Sequence, residues 1–307
     1  MNLRKILSTL LALAMLAPAA GCGLAEEAGV AVTDMMGREV TLAAPATRVV
    51  ALTPADCEIL YALGAGETLV GRGEYCDWPA EAQAVPAVQS GMETNVEQII
   101  ALQPQVVLMA SMAQSEAQVD QLEKAGIRVL VSEAKTIKGV YQSIALIGAL
   151  VGKTEEASAL AGGMKSGFDA LAAKAAGTGK SVYFEVSPLQ YGLWTAGAGT
   201  FMDEVATMLG LTNIFADVSG WAEVSQEQVI QRNPDYIVTI AMYFGEGPTP
   251  EEEIKGREGW GGVAAVQNGA ILNLSGNELS RPGPRLLDGA NMMSDFIEQS
   301  LAVKPAA

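Results

Sequence analysis

The chain contains NVEQIIALQPQVVLM at residues 95–109 and SQEQVIQRNPDYIVT at residues 225–239. At a constant offset of 130 positions, Glu97 falls on Glu227, a glutamine follows each glutamate, and a proline stands seven positions further on. Four pairs of apolar residues also coincide: Ile99 with Val229, Ile100 with Ile230, Val107 with Ile237 and Leu108 with Val238. Each copy predicts a short helix, a break at the proline and a buried strand. We therefore expect two similar halves.

Strands and helices alternate on either side of a central helical region. Short apolar runs such as RVVALTP at residues 48–54 and SVYFEV at residues 181–186 predict buried strands, each followed by a helical pattern. This alternation is typical of a parallel α/β sheet. Residues 136–178 carry apolar side chains at helical spacing and contain no strand pattern. The layout predicts two α/β halves joined by a long helix.

The N-terminus has the pattern of an export signal. A basic pair, Arg4 and Lys5, precedes an apolar run that is too short to span a bilayer. Small residues then precede Cys22, as in a bacterial lipobox, although Ala19 stands where leucine is commoner. We predict a signal peptide over residues 1–21 and lipidation of Cys22. Ordinary secretion with an incidental Cys22 is the alternative.

The charge of the chain limits its partners. It has 19 basic and 35 acidic residues, which gives a net charge of −16. So acidic a surface repels phosphate backbones, and we do not expect a nucleic-acid partner. It suits docking onto a basic protein surface.

Histidine is absent from the sequence. Its absence excludes a Ser-His-Asp triad and a Cys-His dyad, and it removes the usual imidazole ligands of zinc and manganese. The stretch GALVGKT at residues 148–154 has three residues between its glycines, where a phosphate-binding loop needs four. We expect no catalytic residues, no metal site, no cofactor and no enzyme activity.

Two further cysteines, Cys57 and Cys76, lie outside any metal-type Cys-x-x-Cys spacing. An exported protein permits a disulfide between them. Two buried free thiols are the alternative, and the sequence leaves both open.

Aromatic and basic residues occur in the segments expected to follow strands. Tyr75 and Trp78 lie in EYCDWP, Trp194 lies in LQYGLWTAG, Trp221 lies in VSGWAEVS, and Arg281 lies in RPGPR. Ligands of parallel α/β sheets bind at the carboxyl ends of the strands. Tryptophan and tyrosine offer large flat contact areas, and arginine can bind a carboxylate or phosphate. If both halves present these ends to each other, the side chains line one cleft.

Three stretches together resemble a known family: RVVALTPADCEILYALGAGETLVGRGEYCDWP, the NVEQIIALQP segment and SRPGPRLLDG. The family comprises the periplasmic-type substrate-binding lipoproteins of ABC importers for ferric siderophores, haem and cobalamin. The resemblance runs from about Thr33 to Leu301 and is closest to the cobalamin-binding members. It implies an α/β fold of two Rossmann-like lobes with parallel sheets, a single long connecting helix and a ligand cleft between the lobes.

The resemblance also implies ligand-binding residues: Tyr75, Trp194, Trp221 and Arg281. Some positions depart from the cobalamin-binding pattern. The segment SGMET before the first repeat lacks a tryptophan, and methionines or an asparagine replace expected residues at three positions: Met109, Met112 and Asn277. The ligand is therefore left open between cobalamin and a ferric chelate. Haem bound through Tyr75 is the alternative within this class, and an exported enzyme acting on a chelate is the alternative outside it.

The same resemblance implies docking onto a permease dimer that carries its ATPases. In that family one glutamate on each lobe meets arginines of the permease, and the resemblance implies Glu97 and Glu227 for this role. Both also suit the first turn of a helix, where the helix dipole favours acids. We expect a monomer that is exported and held at the outer face of the cell membrane by its lipid anchor.

These expectations divide the chain into five segments. The signal peptide covers residues 1–21, and a lipidated segment with a hairpin covers residues 22–47. The N-terminal lobe covers residues 48–135, the linking helix residues 136–178 and the C-terminal lobe residues 179–303.

Overall fold

The computed structural model describes residues 29–302, apart from residues 92, 111–115, 176, 178 and 244. The predicted signal peptide and Cys22 lie outside the described residues. Met112 lies outside them as well.

The first lobe is built on a parallel sheet of five strands with the order β5-β4-β3-β6-β7. Its strands are β3 (Val49–Ala51), β4 (Leu69–Gly73), β5 (Ala87–Val88), β6 (Val106–Met109) and β7 (Arg128–Val131). The helices between them are α1 (Pro54–Ala62), α2 (Val96–Ala101) and α3 (Glu116–Lys124).

An antiparallel hairpin precedes this sheet, as the sequence predicts. It pairs β1 (Val30–Thr33) with β2 (Glu39–Leu42). The carboxylate of Asp34 accepts hydrogen bonds from the backbone N–H groups of Met36, Arg38 and Val131. The last of these bonds fastens the hairpin to β7.

The second lobe has a parallel sheet with the order β10-β8-β12-β13. Its strands are β8 (Ser181–Glu185), β10 (Thr212–Asn213), β12 (Tyr236–Thr239) and β13 (Ile271–Asn273). A separate antiparallel ribbon joins β9 (Trp194–Ala196) to β11 (Trp221–Glu223). The helices of this half are α6 (Phe201–Met208), α7 (Gln226–Arg232), α8 (Pro250–Gly256), α9 (Ala264–Gln267) and α10 (Leu286–Ala302).

The duplicated segment forms the same structure in each lobe. The first copy folds as α2 and β6, and the second as α7 and β12. Side chains of Asn95 and Ser225 cap the two helices. Gln103 and Asn233, which stand directly before the prolines, both have left-handed backbone angles, with φ of 49° and 46°. The prediction of a helix, a break and a strand is confirmed in both copies.

The connecting region predicted over residues 136–178 consists of two helices. They are α4 (Ile137–Leu150) and α5 (Thr154–Lys174), and the chain turns between them at Gly152, whose φ is 71°. Helix α4 packs against α1 and β1 of the first lobe, whereas α5 packs against α6 and α10 of the second. The 21 residues of α5 are therefore the helical connection between the lobes.

Both sheets are covered on both faces, which explains why their strands are uniformly apolar. Alternate residues of β6 enter different cores: Val106 and Leu108 join a core that runs through both lobes, and Val107 and Met109 join one confined to the first lobe. The same alternation occurs in β12. Val238 belongs to the shared core, and Ile237 belongs to a third core in the second lobe. The paired lobes therefore share one continuous apolar interior.

Candidate ligand-binding site

Tyr75 projects from the loop that follows β4. Its side chain is 70% exposed, whereas the next residue, Cys76, is buried. The thiol of Cys76 lies 3.7 Å from the carbonyl oxygen of Ala51, at the end of β3. The backbone N–H of Cys76 donates to the carbonyl oxygen of Gly73. The buried cysteine thus anchors the loop while the tyrosine ring remains in solvent.

Trp194 and Trp221 lie on the ribbon of β9 and β11. Trp221 pairs with Ala196, and Glu223 pairs with Trp194, so the two tryptophans stand diagonally on one face of the ribbon. Each is about two-fifths exposed. The Trp221 ring also packs edge-to-face on buried Phe201, with 5.6 Å between centroids. The structure brings these two predicted residues together, and it fixes the orientation of one of them.

Sequence reasoning did not select Met242 and Tyr243. They lie in the loop after β12, which ends at Thr239, and both are exposed. Strand β12 pairs in parallel with β8, and Trp194 follows β8. Met242 and Tyr243 therefore follow the same edge of the sheet as Trp194. The repeat could have indicated Met242, which stands 130 positions after Met112.

Arg281 is buried rather than open to solvent. Its guanidinium donates to the carboxylates of Glu58, at 2.9 Å, and Asp77, at 2.7 Å, and to the backbone oxygen of Tyr75, at 3.2 Å. The structure therefore places this predicted ligand residue against the first lobe, beside the Tyr75 loop. Its role in binding a ligand stays a prediction.

A second arginine joins the same cluster. Arg285 donates to both oxygens of the buried Glu58 carboxylate, at 3.0 and 2.7 Å, and its guanidinium lies 4.7 Å from the centre of the Trp78 ring. Both arginines follow β13 of the second lobe, and the carboxylates of Glu58 and Asp77 belong to the first. Arg285 also donates to the carbonyl oxygen of Gly276 in its own lobe, at 2.8 Å. We call Glu58, Asp77, Arg281 and Arg285 the interlobe cluster.

The charges of this cluster perturb one another. Partial burial alone raises the pKa of Asp77, but the hydrogen bond and positive charge of Arg281 outweigh it and hold that pKa below its ordinary value. Burial disfavours the charged form of Arg281, yet Asp77 and Glu58 together raise its pKa. Asp77 and Arg281 thus both remain ionised at neutral pH. Asp77 is half exposed, so the buried charge of this pair is that of Arg281, which Glu58 also compensates.

A buried ion pair supports the loop beyond β12. The guanidinium of Arg257 donates to both oxygens of Glu185, at 2.7 and 2.9 Å, and lies over the ring of Trp260. The backbone oxygen of Glu185 accepts from the N–H of Ile240 at 3.3 Å. Burial raises the pKa of Glu185 despite the opposing effect of Arg257. The base of the loop that carries Met242 is therefore fixed.

Glu97 and Glu227 occupy equivalent positions in the first turns of α2 and α7. Both are exposed, and neither takes part in an ion pair within the described residues. The pKa of Glu227 is lowered by a hydrogen bond from its own backbone N–H and by Ser225. Packing accounts for neither carboxylate.

Two features are absent from the described part of the chain. No group of three or more histidine, cysteine or carboxylate side chains there could hold a metal ion. Within the same residues, no helix has the length and hydropathy needed to cross a membrane. A groove of about 610 Å³ lies between the hairpin and α4, and it includes none of the predicted ligand residues.

Residues 49–277 match the family model described as periplasmic binding protein. The match covers well over half of the chain, and the chain therefore belongs to the periplasmic binding protein family. The family predicted from the sequence is confirmed.

Curated relatives cover nearly the whole chain. An uncharacterized ABC transporter substrate-binding lipoprotein of Bacillus subtilis is 34% identical over 275 residues, which are 87% of this chain and 85% of that protein. The vitamin B12-binding protein of Salmonella typhimurium is 33% identical, with 83% of this chain and 91% of that protein covered. These relatives are binding proteins.

Solved structures share the two-lobed architecture. A possible iron-binding periplasmic solute-binding protein of Staphylococcus epidermidis is 31% identical, with a TM-score of 0.68 over 82% of this chain and 98% of that one. The periplasmic vitamin B12-binding protein of Vibrio cholerae is 26% identical, with a TM-score of 0.70 over 84% and 98%. The predicted fold of two α/β lobes is confirmed.

Proposed function

We propose that this protein is the substrate-binding component of an ABC importer, and that it captures a bulky metal chelate outside the cytoplasmic membrane. The observation that carries the proposal is the set of exposed aromatic side chains beyond the carboxyl ends of strands: Tyr75 in the first lobe, and Trp194 and Trp221 in the second. Exposed aromatic rings on a rigid scaffold are suited to a large, flat ligand.

Cobalamin is the first ligand that we propose. The 33% identical relative from Salmonella typhimurium is a vitamin B12-binding protein, and the macrocycle of a corrinoid presents the broad apolar face that tryptophan rings cover well. A ferric chelate is the second candidate, favoured by the 31% identity to the possible iron-binding protein of Staphylococcus epidermidis. Haem held by Tyr75, and an exported enzyme acting on a chelate, are less supported alternatives.

Tryptophan fluorescence provides the test. The mature protein would be titrated separately with cyanocobalamin, a ferric hydroxamate, a ferric catecholate and haem. We expect saturable quenching by one of them, because Trp194 and Trp221 are partly exposed on the proposed binding face. Absorption by the chelates themselves must be corrected with free tryptophan. No saturable response to any of the four compounds would refute the ligand class.

The proposal includes delivery to a permease dimer and its ATPases. Glu97 and Glu227 support it, since they are exposed acids at matching positions of the two lobes and could each meet a basic residue on a two-fold partner. We also propose that the mature chain is a monomer held to the membrane by a lipid on Cys22. Replacing Cys22 with alanine should release the protein into the soluble fraction. Continued membrane association would contradict the anchor.

A further inference from the structure

Glu223 stands on the side of the ribbon that carries the two tryptophans. It pairs directly with Trp194 across β9 and β11, and it lies two positions after Trp221 on its own strand. Side chains at these positions of an antiparallel pair project to the same side. The carboxylate is therefore a neighbour of both proposed ligand contacts. We call Trp194, Trp221 and Glu223 the tryptophan face.

The carboxylate of Glu223 has no basic partner. It is exposed, and it takes part in no ion pair within the described residues. Its Oε1 lies beside Gly192, where a Cβ built on the glycine would be 3.6 Å away. No lysine or arginine occurs in the sequence between Lys180 and Arg232, and each of these two is paired with an aspartate.

The interlobe cluster does not offset this negative charge. Arg281 is buried against Glu58 and Asp77, and Arg285 donates to both oxygens of Glu58. Two carboxylates therefore balance the two guanidinium groups, and the cluster adds no net charge beside the Tyr75 loop.

Two basic residues of the first lobe are also accompanied by acceptors. The guanidinium of Arg72, in β4, donates to four main-chain carbonyl oxygens of its own lobe. Lys135 is exposed after β7, two positions before Ile137, whose N–H donates to the carboxylate of Glu204 at 2.6 Å. An acid of the second lobe thus lies near this lysine, whereas Glu223 has no such counter-charge.

We propose that Glu223 is a specificity-determining residue, and that the tryptophan face accepts a chelate of zero or positive net charge in preference to an anionic one. A carboxylate beside the rings accepts hydrogen bonds from amide or ammonium groups at the edge of a chelate. It repels an anionic oxygen at the same place, and the repulsion grows as the ligand excludes water. The inference rests on the proposed binding of a chelate and names the charge class that binds.

This preference separates the candidate ligands. Cyanocobalamin is electroneutral and carries primary amide groups around its macrocycle, and ferric trihydroxamates are neutral or cationic. Ferric catecholates carry several negative charges, and haem carries propionate groups. Glu223 therefore favours a corrinoid or a ferric hydroxamate over a ferric catecholate or haem.

Matched ligands that differ mainly in charge test the inference. The mature protein would be titrated with cyanocobalamin and, separately, with its monocarboxylic acid isomers, in each of which one side-chain amide is hydrolysed. A ferric trihydroxamate whose terminal amine is free, acetylated or succinylated provides the same comparison for an iron chelate. We expect at least one anionic member to bind roughly fivefold more weakly than its neutral counterpart. Glu223→Gln should bring the two affinities within about twofold of each other.

Glu298→Gln is the matched control, because it makes the same charge change at an exposed position of α10. It should keep the ratio of neutral to anionic affinities found in the wild type. Equal affinities of the neutral and all anionic members, or an unchanged ratio in Glu223→Gln, would overturn the inference and leave chelate binding intact. No saturable binding by any member of either series would overturn the proposed ligand class as well.

Discussion

Asp56 is a buried carboxyl group at the start of α1. It hydrogen-bonds with the hydroxyl groups of Ser132 and Thr53, and neither of these brings a positive charge. Burial therefore dominates and raises its pKa to about 7, although both hydrogen bonds act in the opposite direction. A side chain that looks like an ordinary first-turn acid in the sequence is thus largely protonated in the fold below neutral pH.

This residue makes stability depend on pH. Since the folded pKa of about 7 exceeds the ordinary value of 3.8, the fold binds a proton that the unfolded chain releases between these two pH values. The contribution of Asp56 is fully present below about pH 4 and is lost as the pH rises to about 7. We expect the free energy of unfolding of the wild type, relative to Asp56→Asn, to fall by on the order of 3 kcal/mol between pH 4 and pH 8.

Urea unfolding of both proteins across this pH range measures the difference. The control is Asp120→Asn, which makes the same charge change at an exposed position of α3. A difference between wild type and Asp56→Asn that is constant with pH would show that Asp56 is ionised in the fold.

The two copies of the repeat show how caps determine the start of a helix. In α7, the hydroxyl of Ser225 accepts from the N–H of Gln228, and the amide oxygen of Gln228 accepts from the N–H of Ser225. In α2, Asn95 caps the helix, but the side-chain oxygen of Gln98 accepts from Gln89 instead. Only the second copy therefore has the reciprocal capping box.

Replacing Ser225 with alanine removes this box. We expect the free energy of unfolding to fall by about 1 kcal/mol, because the first-turn N–H groups of α7 lose their acceptor. Ser225→Thr keeps a capping hydroxyl and should retain most of the stability. The midpoint of chemical denaturation reports the effect. Equal losses in the two variants would indicate that packing, rather than capping, is responsible.

Helices and strands that a local sequence pattern marks could be predicted from the sequence, whereas contacts between distant segments could not. The helix, break and strand of each repeat follow from apolar spacing and a proline, so the sequence was sufficient for them. By contrast, Arg281 and Glu58 are 223 positions apart, and no periodicity indicates that they pair. For the same reason Trp194 was predicted as a loop residue, although it lies on a ribbon with Trp221.

At the scale of the whole molecule, the interlobe cluster joins the lobes. We expect Glu58→Ala to lower the free energy of unfolding by about 3–5 kcal/mol, because Arg281 and Arg285 would be left buried with too little compensating charge. The exposed Glu81→Ala is the charge-matched control. A loss below 1 kcal/mol in calorimetric or urea unfolding would show that the cluster does not stabilise the lobe arrangement.

Docking of the protein onto its permease is tested by replacing both Glu97 and Glu227 with alanine. Both carboxylates are exposed, so we expect unchanged folding and ligand affinity but lost uptake of the chelate in cells. The matched control replaces Glu116 and Glu155, exposed first-turn acids of α3 and α5. Normal uptake by the Glu97 and Glu227 variant would remove the docking assignment.

We propose that a metal chelate binds against the aromatic residues beyond the strand ends. The most direct test is calorimetric titration of cyanocobalamin, or the ferric chelate that quenches fluorescence, into the wild type and the W194A/W221A variant. Met36→Ala, an exposed apolar residue of the hairpin, is the control. We predict one saturable site in the wild type and control, weakened at least tenfold in the double variant, or about 1.4 kcal/mol. Equal affinities in all three proteins would show that the chelate does not bind against these tryptophans.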